Sequence, residues 1–592
     1  MTLLDYFKPL DPNNLFIFIL MFASWHIVGS LIDKKWIKLP QEFTLIRWTF
    51  GLAIWILTVY LSHFFYPLRP ITVLATYLPI FLICLAKTKF KFTLLSKQII
   101  FNSLILLLPL VMIVKPVFVK LSLPPHLWDE MAYHWVSPST IAFEKTWNLS
   151  GGLYQSMPRS LETAAIGLFV LTKTYSSARL LQFLIFLTTA ATVYLNFKKN
   201  FGLISAIGSY LAIVFFSPDL ISLSTSGYVD VAASSFIILA LLTQLYPNLL
   251  IGKIGFVALA IGMKYSVLSS TISIILVSLV SYIKTVKKSI LVPTLLAFLL
   301  FGGYWYVKNT ILYHNPVFPL IFACDTCPKK TDIFGSWTVP ITLANIDKIK
   351  SSLFNKLFNT DKLVITSLLL LFFLRNKKTI RYTIFLASIL IIDWMLSSRF
   401  TAFEPRYFIH WQLIVILFVT ASWNLTKAHH FLKTFAFLLI AYSAFSVYQN
   451  TANTINTLKL AYIQNPRELA YAKGMINIYD WTRAYFPRLN EVIKWCETAI
   501  PDTPIRVTDP ELIWGNYDAL FSIFMTNCSH SRDELSTYSR TKPLYAVSLS
   551  ECVKDLPQDN TDGKYYFRKN NNDVICNSQK LKPYLYKFTG FN

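Results

Sequence analysis

Pro124-Pro125-His126-Leu127-Trp128-Asp129-Glu130-Met131-Ala132-Tyr133-His134-Trp135 sets two carboxylates, a phenol and two imidazoles in one short stretch, directly after the apolar run 99–119. The paired prolines end a preceding helix and can open a new one, so Trp128 to Trp135 is expected as a short helix at a membrane surface. On that helix Asp129 and Tyr133 share one face, and Glu130 and His134 share the next, each pair at i,i+4. A carboxylate on apolar ground holds its proton more tightly than one in water, which suits it to take a proton from a hydroxyl. The same residues also fit a plain interfacial helix, with its charges solvated and its aromatics seated among headgroups.

Other polar side chains stand out against apolar surroundings. Tyr154 to Glu162 leads into an apolar stretch, and Glu162 falls where a helix start favours an acid. Arg159 beside it suits either general headgroup contact or the grip of one particular phosphate. Asp230, after Ser226-Gly227-Tyr228-Val229, sits at the mouth of an apolar run. Lys264, in Gly262-Met263-Lys264-Tyr265, lies between two apolar runs with no acidic neighbour in sequence, so it calls for an anion or for a route to water. Arg406 begins another apolar run, where a planar guanidinium can hold a phosphate in two places or pair with Glu404.

The elements that must carry these residues are membrane helices. With 592 residues, 54% of them hydrophobic and 16% aromatic, the chain reads as an α-helical polytopic membrane protein. Its long, unalternating apolar runs select helices over a barrel. About fourteen spans are expected, at 13–31, 43–62, 70–86, 98–119, 179–196, 201–217, 229–246, 251–263, 265–283, 290–312, 361–374, 380–398, 406–423 and 430–448. A net charge of +24 would suggest nucleic acid in a soluble protein. Here the lysines and arginines gather in short loops between spans, which is a sign of topology instead.

The loops with Lys34, Lys35 and Lys38, with Lys87 to Lys97, with Lys198 and Lys199, with Lys284 to Lys288 and with Arg375 to Arg381 are expected to be cytoplasmic. All other loops then face outward, provided that 161–174, short of the roughly twenty residues needed to cross, is a juxtamembrane helix in or on the outer leaflet. The chain divides into N-terminal helices over 1–97, a membrane module over 98–449 with outer loops 120–160 and 313–360, and a soluble, exported α/β domain over 450–592. Six of the seven cysteines fall on the expected outer side: Cys324 and Cys327 as a local pair, then Cys496, Cys528, Cys552 and Cys576 as candidates for two disulfides in any of three pairings. Cys84 alone lies in a span.

No phosphate-cradling GxxxxGK[ST], no GxGxxG and no zinc-type His/Cys spacing occurs, so a soluble nucleotide donor is not indicated. The order of the motifs resembles that of the membrane-embedded GT-C glycosyltransferases, the superfamily of protein O-mannosyltransferases and lipid A aminoarabinose transferases. The resemblance rests on Trp128-Asp129-Glu130-Met131-Ala132-Tyr133-His134 with Pro138, Met157-Pro158-Arg159-Ser160-Leu161-Glu162, Gly227-Tyr228-Val229-Asp230, Gly262-Met263-Lys264-Tyr265, Asn315-Pro316-Val317-Phe318-Pro319 and Arg406-Tyr407, in that order over about 98–425.

The resemblance implies a transferase of the inner membrane, with its active site and C-terminal domain on the periplasmic or extracellular side. It implies transfer of a sugar from a polyprenyl-phosphate carrier to a lipid, protein or glycan acceptor, normally with inversion. The family's acidic residue maps onto Asp129 as general base, the neighbouring Glu130 being the alternative, with Glu130 and His134 as orienting or acceptor-binding groups and Tyr133, Glu162 and Asp230 as acceptor or structural residues. Lys264 and Arg406, with Arg159 in reserve, are expected to receive the departing phosphate. A divalent cation such as Mg or Mn, on Asp129 and Asp230, remains open. An oligosaccharide ligase or polymerase, a flippase for lipid-linked saccharides, or a membrane anchor for the C-terminal domain would share the basic, polytopic composition.

Overall fold

The computed structural model describes residues 11–65, 68–88, 106–107, 117–123, 130, 134, 157–172, 174–215, 220, 223–246, 249–282, 290–317, 377–397, 409–422, 470, 503–507, 528–530, 545–547, 578–582 and 585–588. Arg406, Asp129, Tyr133, Cys324, Cys327, Cys496, Cys552 and Cys576 lie outside the described residues, as do most of the expected span 98–119 and all of 361–374 and 430–448. Cys84 is a free, buried thiol.

The chain is a multi-pass helical membrane protein. The described residues contain five helices long and apolar enough to cross a membrane, within Pro12–Ile37, Gln41–His63, Pro70–Lys87, Ser176–Phe201 and Leu291–Tyr313. Several other apolar helices are shorter, including Leu203–Val214, Asp230–Leu245 and Leu250–Met263.

The first helix, α1 (Pro12–Ile32), starts where Asp11 accepts the Asn14 backbone N–H at 2.7 Å and Pro12 needs no hydrogen bond. It turns into α2 (Trp48–Phe65) through a compact polar hairpin. There the buried Asp33 carboxylate accepts the Leu39 N–H at 2.7 Å and forms an ion pair with Arg47, whose Nε lies 2.7 Å away. Two glycines bring α1 and α2 into backbone contact: a Cβ on Gly51 would lie 1.9 Å from the Trp25 carbonyl oxygen, and one on Gly29 would lie 2.1 Å from that of Arg47. Helix α3 (Pro70–Lys87) then packs on both.

The 161–174 stretch departs from its expected place. It forms α4 (Ser160–Thr172), and nearly every residue of it is buried. Ala164 gives its carbonyl to Trp55 Nε1 at 3.3 Å, and the Gly167 backbone lies against the Trp55 and Val59 side chains of α2. A helix this apolar all round has no face suited to water, and it is enclosed by the protein instead of lying exposed at a membrane surface.

Beyond it run α5 (Ser176–Phe201), α6 (Leu203–Phe215), α7 (Asp230–Leu242), α8 (Leu250–Met263) and α9 (Leu268–Tyr282). Helix α7 is buried along its whole length and packs against α5 and α8. Then α10 (Leu291–Phe298) and α11 (Tyr304–Tyr313) flank a π-helical segment, Leu299–Gly303. Gly302 of that segment meets the Ala258 carbonyl and Gly262 of α8.

Helices α12 (Lys377–Ser397) and α13 (Ile409–Ser422) are fastened to α9 by one buried carboxylate. Asp393 Oδ2 accepts Trp411 Nε1 at 2.7 Å and the Ser270 hydroxyl, and lies 3.2 Å from His410 Nε2.

The C-terminal region holds a five-stranded mixed sheet of β1 (Thr503–Val507), β2 (Cys528–His530), β3 (Tyr545–Val547), β4 (Ser578–Lys582) and β5 (Leu585–Phe588), in the order β2-β1-β3-β5-β4. β1 runs parallel to β2 and β3, which needs crossover connections, while β3–β5–β4 is antiparallel. Both patterns suit the α/β unit expected there.

The α1–α2 contact predicts that Gly51→Ala lowers stability by about 1–3 kcal/mol, because a methyl group has nowhere to go. Thermal unfolding of the detergent-purified chain measures this, and an unchanged melting temperature would contradict the close crossing.

Candidate functional site

Charged residues on apolar elements need partners, and here the partners come from distant parts of the chain. Glu130 is fully buried. Arg179, in the first turn of α5, donates to both of its oxygens at 3.0 Å, and the Gly227 backbone N–H donates to Glu130 Oε1 as well. The same guanidinium donates to the Lys120 carbonyl at 3.1 Å and to that of Leu123. One side chain therefore ties the 117–123 segment, Glu130 and α5 together and meets the 223–230 turn through Glu130.

That turn is held from a second direction. Gln182, one helical step from Arg179, donates to the Leu223 carbonyl at 2.6 Å and to that of Ser226 at 3.2 Å. The Ser226 hydroxyl accepts the Tyr228 N–H at 3.2 Å. The Tyr228 ring then packs edge-to-face on the His134 imidazole, with centroids 5.9 Å apart. Glu130 and His134 thus face the same turn.

His134 Nδ1 lies 2.6 Å from Glu162 Oε1, and both residues are buried. Glu162 was expected to serve the start of its helix. It does lie in the first turn of α4, and it also fixes the imidazole. Two residues beyond Tyr228, Asp230 opens α7 and takes Lys264 Nζ at 2.7 Å. Lys264 follows α8 in extended conformation, with its side chain 15% exposed. The anion that its position in the sequence calls for is therefore supplied, at least in part, by the protein itself.

Arg159 is buried immediately before α4. The next residue, Ser160, is a junction: its hydroxyl accepts Trp305 Nε1 at 3.1 Å and lies 3.3 Å from the Tyr304 hydroxyl. The Gly262 backbone comes so close to it that a Cβ there would be 2.7 Å from Ser160 Oγ. Lys308, one turn along α11, stands over the Trp305 ring at 4.8 Å. Asn309 beside it donates to the Tyr265 hydroxyl at 2.9 Å, next to Lys264.

Glu130, His134, Arg159, Glu162, Asp230 and Lys264 are thus joined through neighbouring contacts. The structure gives no position for Asp129, Tyr133 or Arg406. Arg179, Gln182 and Lys308 escaped the sequence reading. For Lys308 the available signal was an ionisable side chain within an apolar run.

Of the two residues expected for a divalent ion, Asp129 lies outside the described residues, and Asp230 is joined to Lys264 through Oδ1. Among the described residues no group of three His, Cys, Asp or Glu gathers to hold a metal.

No family model matches the sequence, and no curated protein matches it. A solved structure similar to the chain is the crystal structure of ArnT from Cupriavidus metallidurans in the apo state, with a TM-score of 0.46 and 14% sequence identity over 83% of this chain and 99% of that one. So loose an overlap assigns no activity.

The Glu130–Arg179 clasp is open to a direct test. Arg179→Leu strands a buried carboxylate and should cost about 3–5 kcal/mol, whereas Arg179→Leu with Glu130→Leu should recover most of that loss. Thermal unfolding of Arg179→Leu, Glu130→Leu and the double variant measures the coupling; equal losses in Arg179→Leu and the double variant would contradict it.

Proposed function

We propose that this chain is a membrane glycosyltransferase of the GT-C kind, moving a sugar from a polyprenyl-phosphate donor to an acceptor hydroxyl on the non-cytoplasmic side of the cell membrane. The observation that carries the reading is that four of the six ordered motifs, far apart in sequence, meet through direct side-chain contacts: Glu130 with Gly227, His134 with Glu162 and Tyr228, and Asp230 with Lys264. Structural pairing alone would not need the acids, imidazole and cations of separate helices to gather around one turn.

In this reading Asp129 takes the proton from the acceptor hydroxyl as its oxygen attacks the anomeric carbon from the face opposite the phosphate. The configuration inverts, and polyprenyl phosphate leaves with the bonding electrons. Lys264, Arg159 and Arg406 offset the charge that grows on the departing oxygen. The choice between the two neighbouring carboxylates is supported by geometry. Both Glu130 oxygens are taken up by Arg179, so Glu130 serves as a strut that aims its neighbour. His134, locked by Glu162, orients the acceptor from the same turn.

Two outcomes test the reading. Asp129→Asn should lower sugar transfer by about 10²–10⁴-fold while leaving folding and polyprenyl-phosphate binding intact; transfer at the native rate would refute it. Ser139→Cys should react with a membrane-impermeant maleimide added outside intact cells, and protection of that thiol until lysis would place the loop on the wrong side.

A further inference from the structure

The hairpin between α1 and α2 presents cations in a fixed frame. Lys34, Lys35, Trp36 and Lys38 are exposed, while Asp33, Ile37 and Leu39 are buried. The frame is built on the Asp33 carboxylate, which accepts the Leu39 N–H at 2.7 Å and pairs with Arg47; Arg47 Nη2 in turn donates to the Leu39 carbonyl at 3.3 Å. Lys38 closes the turn in the left-handed region, with φ 58° and ψ 50°, and its N–H donates to the Asp33 carbonyl at 2.6 Å. Glycine is the usual occupant of such a position, because a side chain there is strained. A lysine held in that conformation implies a task for its ammonium.

More cations end on the same side. Successive spans alternate in direction, so α1 and α3, which pack on each other, finish together and bring the exposed Lys87 to the face that carries Lys34 and Lys35. Lys199, in the last turn of α5, reaches Glu42 of the hairpin at 2.7 Å. Both acids of the hairpin are thus engaged, Asp33 by Arg47 and Glu42 by Lys199. Among the described residues no acid pairs with Lys34, Lys35, Lys38 or Lys87, so the patch stays positive. Just inside Lys87, α3 exposes Leu82 and Ile83, and Trp36 among the lysines is 56% exposed. An apolar face that ends in an aromatic ring and ammonium groups matches the depth profile of a lipid, from acyl chain to headgroup.

We propose that this patch binds an anionic phospholipid, whose headgroup is held by Lys34, Lys35 and Lys38 beside Trp36, with Lys87 adding to the field and the apolar face of α3 meeting the acyl chains. Each ammonium offers three donors to the phosphate oxygens. Arg179 stands in the first turn of α5 and Lys199 in its last, so the patch lies at the other end of that helix from the candidate functional site and does not depend on the donor reading.

The test uses the purified full-length chain in detergent, titrated with phosphatidylglycerol or phosphatidylcholine and read by native mass spectrometry. Lys34→Gln, Lys35→Gln and Lys38→Gln should each weaken phosphatidylglycerol binding by about fivefold, the loss expected for one lysine near a charged headgroup, and leave phosphatidylcholine binding unchanged. Lys38→Arg should keep the affinity. Lys38→Gly should weaken it as the glutamine variant does without lowering the lipid-free melting temperature, since glycine suits the turn; loss of the ammonium is thereby separated from loss of the fold. Unchanged phosphatidylglycerol binding in the triple glutamine variant overturns the proposal. So does an equal loss when Lys284, Lys287 and Lys288 of another lysine-rich loop are replaced together, which would mark net charge alone. Displacement of the lipid by equimolar glycerol phosphate overturns it as well, because the patch would then serve a soluble anion.

Discussion

A charge withdrawn from water inside a membrane protein must find its counterpart there, and the buried bidentate pair of Arg179 with Glu130 is the clearest case. Without the guanidinium the carboxylate would not stay where it is. Without the carboxylate, the 223–230 turn would lose the acceptor for its Gly227 N–H. The pair thus reaches well beyond two residues: α5, the end of the 117–123 helix and the turn that leads to Asp230 all close on it. His134 with Glu162 and Asp230 with Lys264 repeat the rule nearby. Net attraction in such pairs matters less than the geometry they impose, since each partner is confined to the one place where the other can neutralise it.

The close spacing of these pairs depends on backbones that touch. Gly262 admits the Ser160 hydroxyl, and Gly302 admits the Ala258 carbonyl, so α8, α4 and the π-helical segment share a junction that any side chain would push apart. The widened π turn brings Tyr304 and Trp305 round to Ser160 immediately after those glycines. Packing and polar contacts are in this sense one arrangement. The glycines set the distances, and the hydroxyl and indole groups fill what remains.

Much of the helical order was legible because apolar runs bounded by lysine clusters leave few other readings. The described helices at 12–32, 70–87, 176–201 and 377–397 fall close to their expected ranges. The gathering of Glu130, His134, Glu162, Asp230 and Lys264 could only be suspected, since sequence order says nothing of which turn faces which. Arg179 was hidden by its surroundings: a single arginine among Ser176, Ala178 and Leu180 looks like a helix-end charge until Glu130 is found on it. The 161–174 stretch was misjudged for a different reason. Length alone excluded a span, and the remaining choice between surface and interior depends on whether neighbouring helices supply a cleft, which Trp55 and Val59 of α2 do.

That enclosed helix has a bearing on how the protein is made. Among the elements that cover α4, α1, α2 and α3 precede it in the chain, whereas α5 and α8 are synthesised after it. Until those later helices arrive, a thirteen-residue apolar segment, too short to hold itself across a bilayer and without a polar side to rest on its surface, has only part of its final shelter. Its enclosure is completed only by helices that follow it, and the Ser160 hydroxyl at its leading end meets the Gly262 backbone and the Trp305 indole only once α8 and α11 are in place.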